Sequence, residues 1–125
     1  MTKKIIDLVQ FRGNKSTLFT GRPQGMAARA VLKLDEYDKN ENLEIIFEIP
    51  DGTTSFNPSF YLGLVYHSYK NLGVEKFSEK YKFEIKTLDE ETKKVLIANL
   101  ADGMRDAINE LNKKTGLWSF IKKKL

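Results

Sequence analysis

The side chains that carry out most covalent catalysis are nearly absent from this chain. His67 is the one histidine, and there is no cysteine. The sequence has no nucleophile elbow, no phosphate-loop lysine motif and no carboxylate cluster with the spacing of metal ligands. A histidine that acts as a general base also needs an oriented partner. We therefore expect no enzymatic activity, no bound metal and no cofactor.

A basic stretch with two glycines near the N-terminus could bind an anion. Free amides at the start of a helix favour negative charge, and glycine lets a ligand approach the backbone. The predicted anion-binding residues are Arg12, Lys15, Gly21, Arg22, Gly25 and Arg29. Because no complete nucleotide fingerprint surrounds them, we favour the alternative interpretation, a tight strand-to-helix turn followed by solvated arginines.

The hydroxyl-rich segment 51–59 could be a regulatory site. It joins a predicted strand to a predicted helix, where hydroxyl groups are accessible to a kinase and a phosphate would gain from the helix dipole. The candidate phosphorylation sites are Thr54, Ser55 and Ser59. Turn formation and helix capping explain the same residue types, so the segment alone does not establish a switch.

The C-terminal end combines aromatic and basic residues. Trp118 and Phe120 precede three consecutive lysines, 122–124, and such a segment could contact a nucleic acid or an anionic membrane. Three lysines are a weak electrostatic anchor. A solvated tail is therefore the favoured interpretation.

The first part of the chain is predicted to form a hairpin and a helix. Two β-prone runs, 5–11 and 17–20, flank the turn residues Gly13-Asn14. Pro23 suits a first helical turn, and this helix is expected to end near Tyr37. Its apolar stripe is predicted to be Met26, Ala27, Ala30, Val31 and Leu34.

The remaining chain alternates between strands and helices. Residues 43–49 have the period of a strand with one apolar face, and the next helix is expected to run from an Asn57 cap to a stop at Gly73. A further strand over 81–86 leads to a capping box over 87–90. The segment 117–121 could be a strand, a packed tail or an interaction segment. The apolar stripe of the last helix is predicted to be Ile97, Leu100, Ala101, Met104, Ala107, Ile108 and Leu111.

These elements predict an α/β fold. The order β-β-α-β-α-β-α indicates a mixed β-sheet of about four strands flanked by helices, with two right-handed strand-helix-strand crossovers. We expect a single domain over residues 1–125, with a core over about 5–111 and a basic tail over 112–125.

Composition and charge restrict the function only partly. With 41% hydrophobic and 30% charged residues, the chain is typical of a soluble globular protein, and no segment approaches the roughly 20 apolar residues of a membrane span. The absence of cysteine and of a signal peptide favours a cytoplasmic location. The net charge is +6 over residues 1–33, −7 over 34–111 and +5 over 112–125, a distribution that suits either a nucleic acid or a basic protein.

The stretch from Leu43 to Lys70 has a more specific pattern. An apolar strand and a short loop lead into Ser55-Phe56-Asn57-Pro58-Ser59-Phe60-Tyr61-Leu62-Gly63-Leu64-Val65. This pattern resembles the STAS domain of anti-sigma-factor antagonists, and it is more similar to the bacterial and phage-borne STAS-like domains of unknown function. The Gly21-Arg22 turn, the first helix and the last helix follow in the expected order, so the resemblance spans about residues 5–111.

The resemblance implies a non-enzymatic domain that recognises a partner protein, often a histidine-kinase-like ATPase, through the loop and helix after the central strand. In the antagonists an aspartate and two serines begin that helix, and the second serine is phosphorylated. The matching positions here are Pro58, Ser59 and Phe60, so the switch residue is missing. The partner-binding residues implied by the resemblance are Thr53, Thr54, Ser55, Asn57, Ser59, Phe60, His67 and Lys70.

Three functions remain as hypotheses. The leading one is a regulatory module that binds a partner protein. The alternatives are a small nucleotide- or nucleic-acid-binding protein, which would use Arg12, Lys15, Arg22, Arg29 and the terminal lysines, and a phage-encoded inhibitor of a host system. Salt separates the first two, because phosphate contacts weaken steeply as the salt concentration rises and an interface with an apolar centre does not.

Overall fold

The computed structural model describes residues 2–12 and 16–114. The described residues form five strands, five α-helices and a short 3-10 helix, which confirms the predicted combination of helices and strands. The strands are β1 (Thr2–Asp7), β2 (Leu18–Phe19), β3 (Leu43–Ile49), β4 (Ser55–Phe56) and β5 (Tyr81–Ile85). The helices are α1 (Arg22–Leu32), α2 (Leu34–Asp38), α3 (Pro58–Leu72), α4 (Val74–Lys80) and α5 (Glu90–Lys114), and the 3-10 helix is Val9–Phe11.

The main sheet has three parallel strands in the order β1-β3-β5. Because the strand order follows the chain order, two crossovers of the same hand carry their helices to the same face of the sheet. The burial pattern agrees, since Ile6, Phe47 and Tyr81 on one face are buried and Ile5 and Lys82 on the other are exposed. The helices therefore cover one face of this sheet.

The predicted N-terminal hairpin and mixed sheet are wrong. β1 pairs with β3 in parallel, and β2 pairs with β4 in a separate parallel pair of two residues each. After β1, the Asp7 Oδ1 atom accepts a hydrogen bond from Val9 N at 2.9 Å, and the chain turns into the 3-10 helix. This local bond ends the strand before it can form a hairpin. Gly13-Asn14, the turn that supported the prediction, lies outside the described residues.

The central strand, the second helix and the next strand are confirmed. Asn57 caps α3, since its Oδ1 atom accepts from Ser59 N at 2.8 Å, and the helix stops at Gly73, where φ is 83°. The first helix is shorter than predicted, because Lys33 adopts the left-handed conformation, with φ of 56°, and separates α1 from α2. Helix α4 was not predicted. Asp89, rather than a box beginning at Thr87, caps α5 by accepting from Thr92 N at 3.0 Å.

Helix α3 lies at the centre of the core and is buried on several sides. Its aromatic residues contact α4 and the sheet: Tyr69 stacks on Phe77 with ring centroids 3.8 Å apart, and Tyr61 lies 5.4 Å from Phe83. The Tyr61 and Tyr69 hydroxyl groups are 2.7 Å apart and share a hydrogen bond. Burial raises the pKa of Tyr61, so its hydroxyl stays neutral within the core.

Two glycines let α1 and α3 approach until their backbones touch. A Cβ atom built on Gly25 would lie 2.2 Å from the Phe60 carbonyl oxygen, and one built on Gly63 would lie 2.1 Å from the Arg22 carbonyl oxygen. Neither distance is compatible with a side chain. A third glycine, Gly103, provides a similar fit for α5, since its Cβ would lie 2.6 Å from the Tyr61 ring.

The predicted apolar stripes of α1 and α5 are only partly buried. On α1, the Gly25 contact turns Ala28 and Arg29 inward and leaves Met26 and Val31 exposed. On α5, the residues turned inward are Leu96, Leu100, Gly103 and Ala107, whereas the exposed ones include Ile97, Ala101 and Met104. Both helices therefore carry more apolar surface than the described chain covers.

Two further expectations concern the membrane and the tail. Within residues 2–12 and 16–114, no helix combines the length and the apolar character needed to cross a membrane. The segment 117–121 and lysines 122–124 lie outside the described residues, so the predicted role of the tail stays a prediction.

We expect the substitution Gly63→Ala to destabilise the protein. Alanine normally stabilises a helix relative to glycine by about 1 kcal/mol, but here the added methyl group would meet a carbonyl oxygen of α1. The expected loss in the free energy of unfolding is about 2 kcal/mol, the scale of overpacking in a core, measured by urea denaturation.

Ala27→Gly is the control, because Ala27 is an exposed residue of α1 and should lose about 1 kcal/mol from helix propensity alone. A Gly63→Ala variant as stable as the wild type would contradict the contact between the backbones.

Candidate functional site

The hydroxyl-rich turn after β3 is held by three other segments. Thr53 is buried, and its Oγ1 atom accepts from Arg12 Nη1 at 2.8 Å, while the same nitrogen donates to the Asp51 carbonyl at 3.1 Å. Thr54 Oγ1 donates to Thr17 Oγ1 at 2.9 Å. On the other side, Phe56 N donates to Asn99 Oδ1 at 2.9 Å. The turn is therefore fixed on the protein by side chains from distant parts of the chain.

The predicted partner-binding residues divide between the core and the surface. Thr53 and Phe60 are buried, so neither offers a surface to a partner, and Ser55 is half-buried in β4. The exposed residues of the set are Thr54, Asn57, Ser59, His67 and Lys70. The burial of Phe60 has a physical reason, since its ring packs against Phe19 and Phe56 with centroids 5.1 and 5.2 Å away.

The predicted anion-binding residues do not converge on one point. Arg12 holds the turn after β3, and Arg22 makes a two-pronged ion pair with Glu110 at 3.1 and 3.2 Å. The Gly21 amide donates to Gln24 Oε1 at 3.1 Å. Gly25 is covered by α3, so no ligand can approach its backbone there. Lys15 lies outside the described residues, and anion binding by this set stays a prediction.

Arg29, the remaining member of that set, belongs to a buried network. Its guanidinium donates to the Leu64 carbonyl at 3.1 Å and to Ser68 Oγ at 2.8 Å. The other terminal nitrogen, Nη2, bonds both Asp35 at 2.6 Å and Asp38 at 3.0 Å. This bond to Asp35 holds the pKa of that carboxyl below its usual range. Arg29 thus connects α1 to α2 and α3.

Asp38 is the centre of the network. Besides Arg29, its carboxylate accepts from Ser68 Oγ at 2.8 Å, from Asn71 Nδ2 at 2.9 Å and from the Tyr81 hydroxyl. Burial and the neighbouring carboxylate raise the pKa of Tyr81, so Tyr81 keeps its proton and remains a donor. A buried carboxylate with this many donors is satisfied, and its role is to hold four elements together.

A groove of about 640 Å³ lies next to this network, between the outer sides of α1 and α3. Its walls are formed by residues at helical spacing on the two helices, and α2 closes one end. The lining residues are Arg22, Met26, Arg29, Ala30, Lys33, Leu34, Asp35, Glu36, Leu62, Gly63, Tyr66, His67 and Lys70. The groove brings together two arginines of the predicted anion site and two residues of the predicted partner surface, His67 and Lys70.

The rim of the groove carries both paired and unpaired charges. Arg22 pairs with Glu110 and Arg29 with Asp35, and His67 Nε2 lies 3.9 Å from Asp35 Oδ1. Among the ion pairs of the described residues, none includes Lys33, Lys70 or Glu36. Two ammonium groups and one carboxylate outside these ion pairs therefore line a groove whose floor is apolar.

Sequence reasoning missed the apolar part of this site. Met26 and Ala30 belong to the predicted apolar stripe of the first helix, and no site was predicted at Leu62 or Tyr66. The sequence pattern that could have indicated the groove is the apolar stripe of α1, because this stripe is wider than the contact with α3 can cover. Tyr66 lies below the Arg22 guanidinium, 5.5 Å from the ring centroid, and burial raises the pKa of its hydroxyl.

A second groove of about 590 Å³ lies on the other side of Asp38, near Lys80. The Lys80 ammonium donates to the carbonyl groups of Asn40 and Leu43, the latter at 3.0 Å, and burial lowers its pKa. These bonds attach the lysine to the start of β3, which is a structural role. Within residues 2–12 and 16–114, no three carboxylate or imidazole groups lie close enough to hold a metal ion.

We expect Asp38→Ala and Asp35→Ala to differ strongly in stability, although both carboxylates bind the same nitrogen of Arg29. The Asp38 side chain is 2% exposed and the Asp35 side chain 64%. Removing the buried partner leaves Arg29 with only the exposed carboxylate of Asp35 and takes the acceptor away from Ser68, Asn71 and Tyr81, with a loss of about 3–5 kcal/mol. Removing the exposed partner should change the free energy of unfolding by less than about 1 kcal/mol.

Urea denaturation of the two variants measures this difference at neutral pH. Equal losses from the two substitutions would mean that the buried network does not hold the helices together.

The comparisons with known proteins add no further assignment. The chain matches no family model, no curated protein and no solved structure.

Proposed function

We propose that this chain is a non-enzymatic, STAS-like interaction module that binds a partner protein in the groove between α1 and α3. The observation that carries the proposal is an accessible apolar floor bordered by charged side chains, the usual anatomy of a protein interface. The histidine-kinase-like ATPase suggested by the sequence resemblance is the partner class that we propose to test first.

The dimensions of the groove favour a helical segment of the partner. It extends along α1 from Arg22 to Lys33, the residue after the end of the helix, which corresponds to about 16 Å at 1.5 Å per residue. Three turns of an amphipathic helix have this length, and a helix that lies between two others buries its apolar face on both. Met26 and Leu62 would contact that face from opposite walls.

The charges of the rim favour an acidic partner segment. Lys33 and Lys70 lie outside the ion pairs of the described residues and could pair with carboxylates on the partner's polar face. Such pairs at the rim improve the association rate and the choice of partner more than the affinity itself. His67, which lies beside Asp35, borders the same end of the groove.

The nucleic-acid alternative receives less support. A nucleic-acid site needs several free cations on one face, whereas Arg12, Arg22 and Arg29 are each bonded to groups of the protein itself. Binding that weakens steeply between about 50 and 200 mM salt would favour this alternative. Binding to a protein in the apolar groove should change much less over the same range.

We expect Ala30→Trp to abolish partner binding and Ala27→Trp to leave it intact. Both alanines are exposed on α1, but Ala30 lines the groove and Ala27 does not. A tryptophan at Ala30 would fill the space that the partner helix occupies. The measurement is affinity capture with the two tagged variants and the wild type, followed by mass spectrometry and by titration of the recovered protein. Equal recovery with both variants would remove the groove as the binding site.

The anti-sigma-factor antagonists are regulated by phosphorylation of a serine that this chain lacks. If another hydroxyl takes that role here, we expect it to be Ser59. Ser59 is exposed in the first turn of α3, whereas Thr54 Oγ1 is bonded to Thr17 and Ser55 is half-buried. A phosphate at this position would gain from the helix dipole. Incubation with the ATPase and ATP, followed by intact-mass measurement, should show one added phosphate on the wild type and none on Ser59→Ala.

Thr54→Ala is the matched control and should accept the phosphate like the wild type. A wild-type mass that stays unchanged while the ATPase binds would leave the module with a scaffold role alone.

A further inference from the structure

Tyr66 on α3 carries a buried hydroxyl group without a hydrogen-bond partner. The residue is 7% exposed, and its Oη atom bonds to no group in the part of the chain that the structure describes. The other buried tyrosines are satisfied, since Tyr61 and Tyr69 bond each other and Tyr81 donates to a carboxylate. Buried polar groups are almost always paired in folded proteins. An unpaired hydroxyl in the wall of a groove is therefore a candidate contact for a ligand.

This hydroxyl lies toward the Arg22 end of the groove. Long side chains of a helix point toward its N-terminus, and the Arg22 guanidinium lies over the Tyr66 ring, 5.5 Å from the centroid. Glu110 of α5 holds Arg22 in this position. Burial and the Glu110 carboxylate raise the pKa of Tyr66, so its hydroxyl keeps the proton. The unpaired group is thus a hydrogen-bond donor close to a guanidinium.

We propose that Tyr66 and Arg22 recognise a carboxylate on the partner helix. On binding, this carboxylate takes the place of Glu110 at the Arg22 guanidinium and accepts the hydrogen bond of the Tyr66 hydroxyl. A guanidinium and a hydroxyl can together bond both oxygens of one carboxylate. The inference rests on the proposed docking of a helix in the groove, and it adds the chemical group that the groove selects.

The ion pair between Arg22 and Glu110 can open at small cost. The two side chains are 40% and 24% exposed, and ion pairs near the surface contribute little to stability. The Tyr66 hydroxyl oxygen is enclosed, so the arginine above the ring has to move before a ligand can reach it. The first turn of α1 contains no acidic residue, and a carboxylate bound there gains from the helix dipole.

The opposite end of the groove determines the spacing of the partner's acidic residues. Lys33 lines that end and belongs to none of the ion pairs of the described residues. The distance of about 16 Å from Arg22 to Lys33 corresponds to about eleven residues of an α-helix. Eleven residues are close to three full turns, about 3.6 residues each, so two carboxylates at this spacing lie on the same side of the partner helix. The groove therefore selects a helix with an acidic residue at each end of its apolar stripe.

Peptide binding to the full chain tests the carboxylate site. The probe is a helical peptide with blocked ends, a leucine stripe and two glutamates about eleven residues apart, and the reference is the same peptide with two glutamines. We expect the wild type to bind the glutamate peptide about tenfold more tightly, measured by isothermal titration calorimetry. Tyr66→Phe should weaken the glutamate peptide by about tenfold, the scale of a hydrogen bond to a charged group, and the glutamine peptide by less.

Tyr69→Phe is the matched control. It removes a hydroxyl about one turn further along α3, but that hydroxyl bonds Tyr61 in the core. Tyr69→Phe should therefore lower the free energy of unfolding and leave the affinity for the glutamate peptide within about twofold of the wild type. Tyr66→Phe should have the opposite effects, because its hydroxyl has no partner to lose when the groove is empty.

Glu110→Gln tests the exchange of carboxylates at Arg22. The glutamine no longer competes for the guanidinium by charge, so the glutamate peptide should bind about threefold more tightly or better, which a purely structural role of Glu110 would not produce. An unchanged affinity would overturn the exchange. Equal binding of the two peptides, or unaltered binding of the glutamate peptide by Tyr66→Phe, would overturn the carboxylate site and leave docking in the groove intact. If neither peptide binds the wild type, docking in the groove is wrong, and this inference with it.

Discussion

The rest of the structure depends on the point where α1 and α3 touch through their backbones. Gly25 and Gly63 lie at this crossing, and the space between the helices has no room for a Cβ atom on either residue. The approach brings Arg29, one turn further along α1, within reach of the Leu64 carbonyl and the Ser68 hydroxyl. A larger residue at the crossing would separate the helices and leave the buried guanidinium without its acceptors, which is why packing and electrostatics are coupled here.

The network around Asp38 fixes the positions of the elements around that crossing. The carboxylate accepts bonds from α1, α3 and β5, so it is fully satisfied only when all three elements are in place. Partly satisfied buried networks are unfavourable, and alternative packings of these elements are therefore penalised. The same network reaches the surface through Asp35, beside His67, and so connects the core to one end of the groove.

The surfaces suited to binding lie on the helices rather than on the hydroxyl-rich turn. Side chains from three other segments, among them Arg12 and Asn99, hold the turn in place. Thr53 in the turn and Phe60 in α3 are buried and unavailable to a partner. Exposed apolar side chains instead line the groove between α1 and α3.

The sequence by itself determined the elements whose signals are local. The strand Leu43–Ile49 follows from its period of two, and α3 follows from the Asn57 cap and the glycine stop, because these interactions join residues close in the chain. Only the tertiary structure decided the parallel pairing of β1 with β3, the inward face of α1, and the groove that unites Arg22 and Arg29 with His67 and Lys70. Those features depend on contacts between residues far apart in sequence, above all the backbone contact at Gly25 and Gly63. The local periodicity of a sequence does not indicate which two glycines will be in contact.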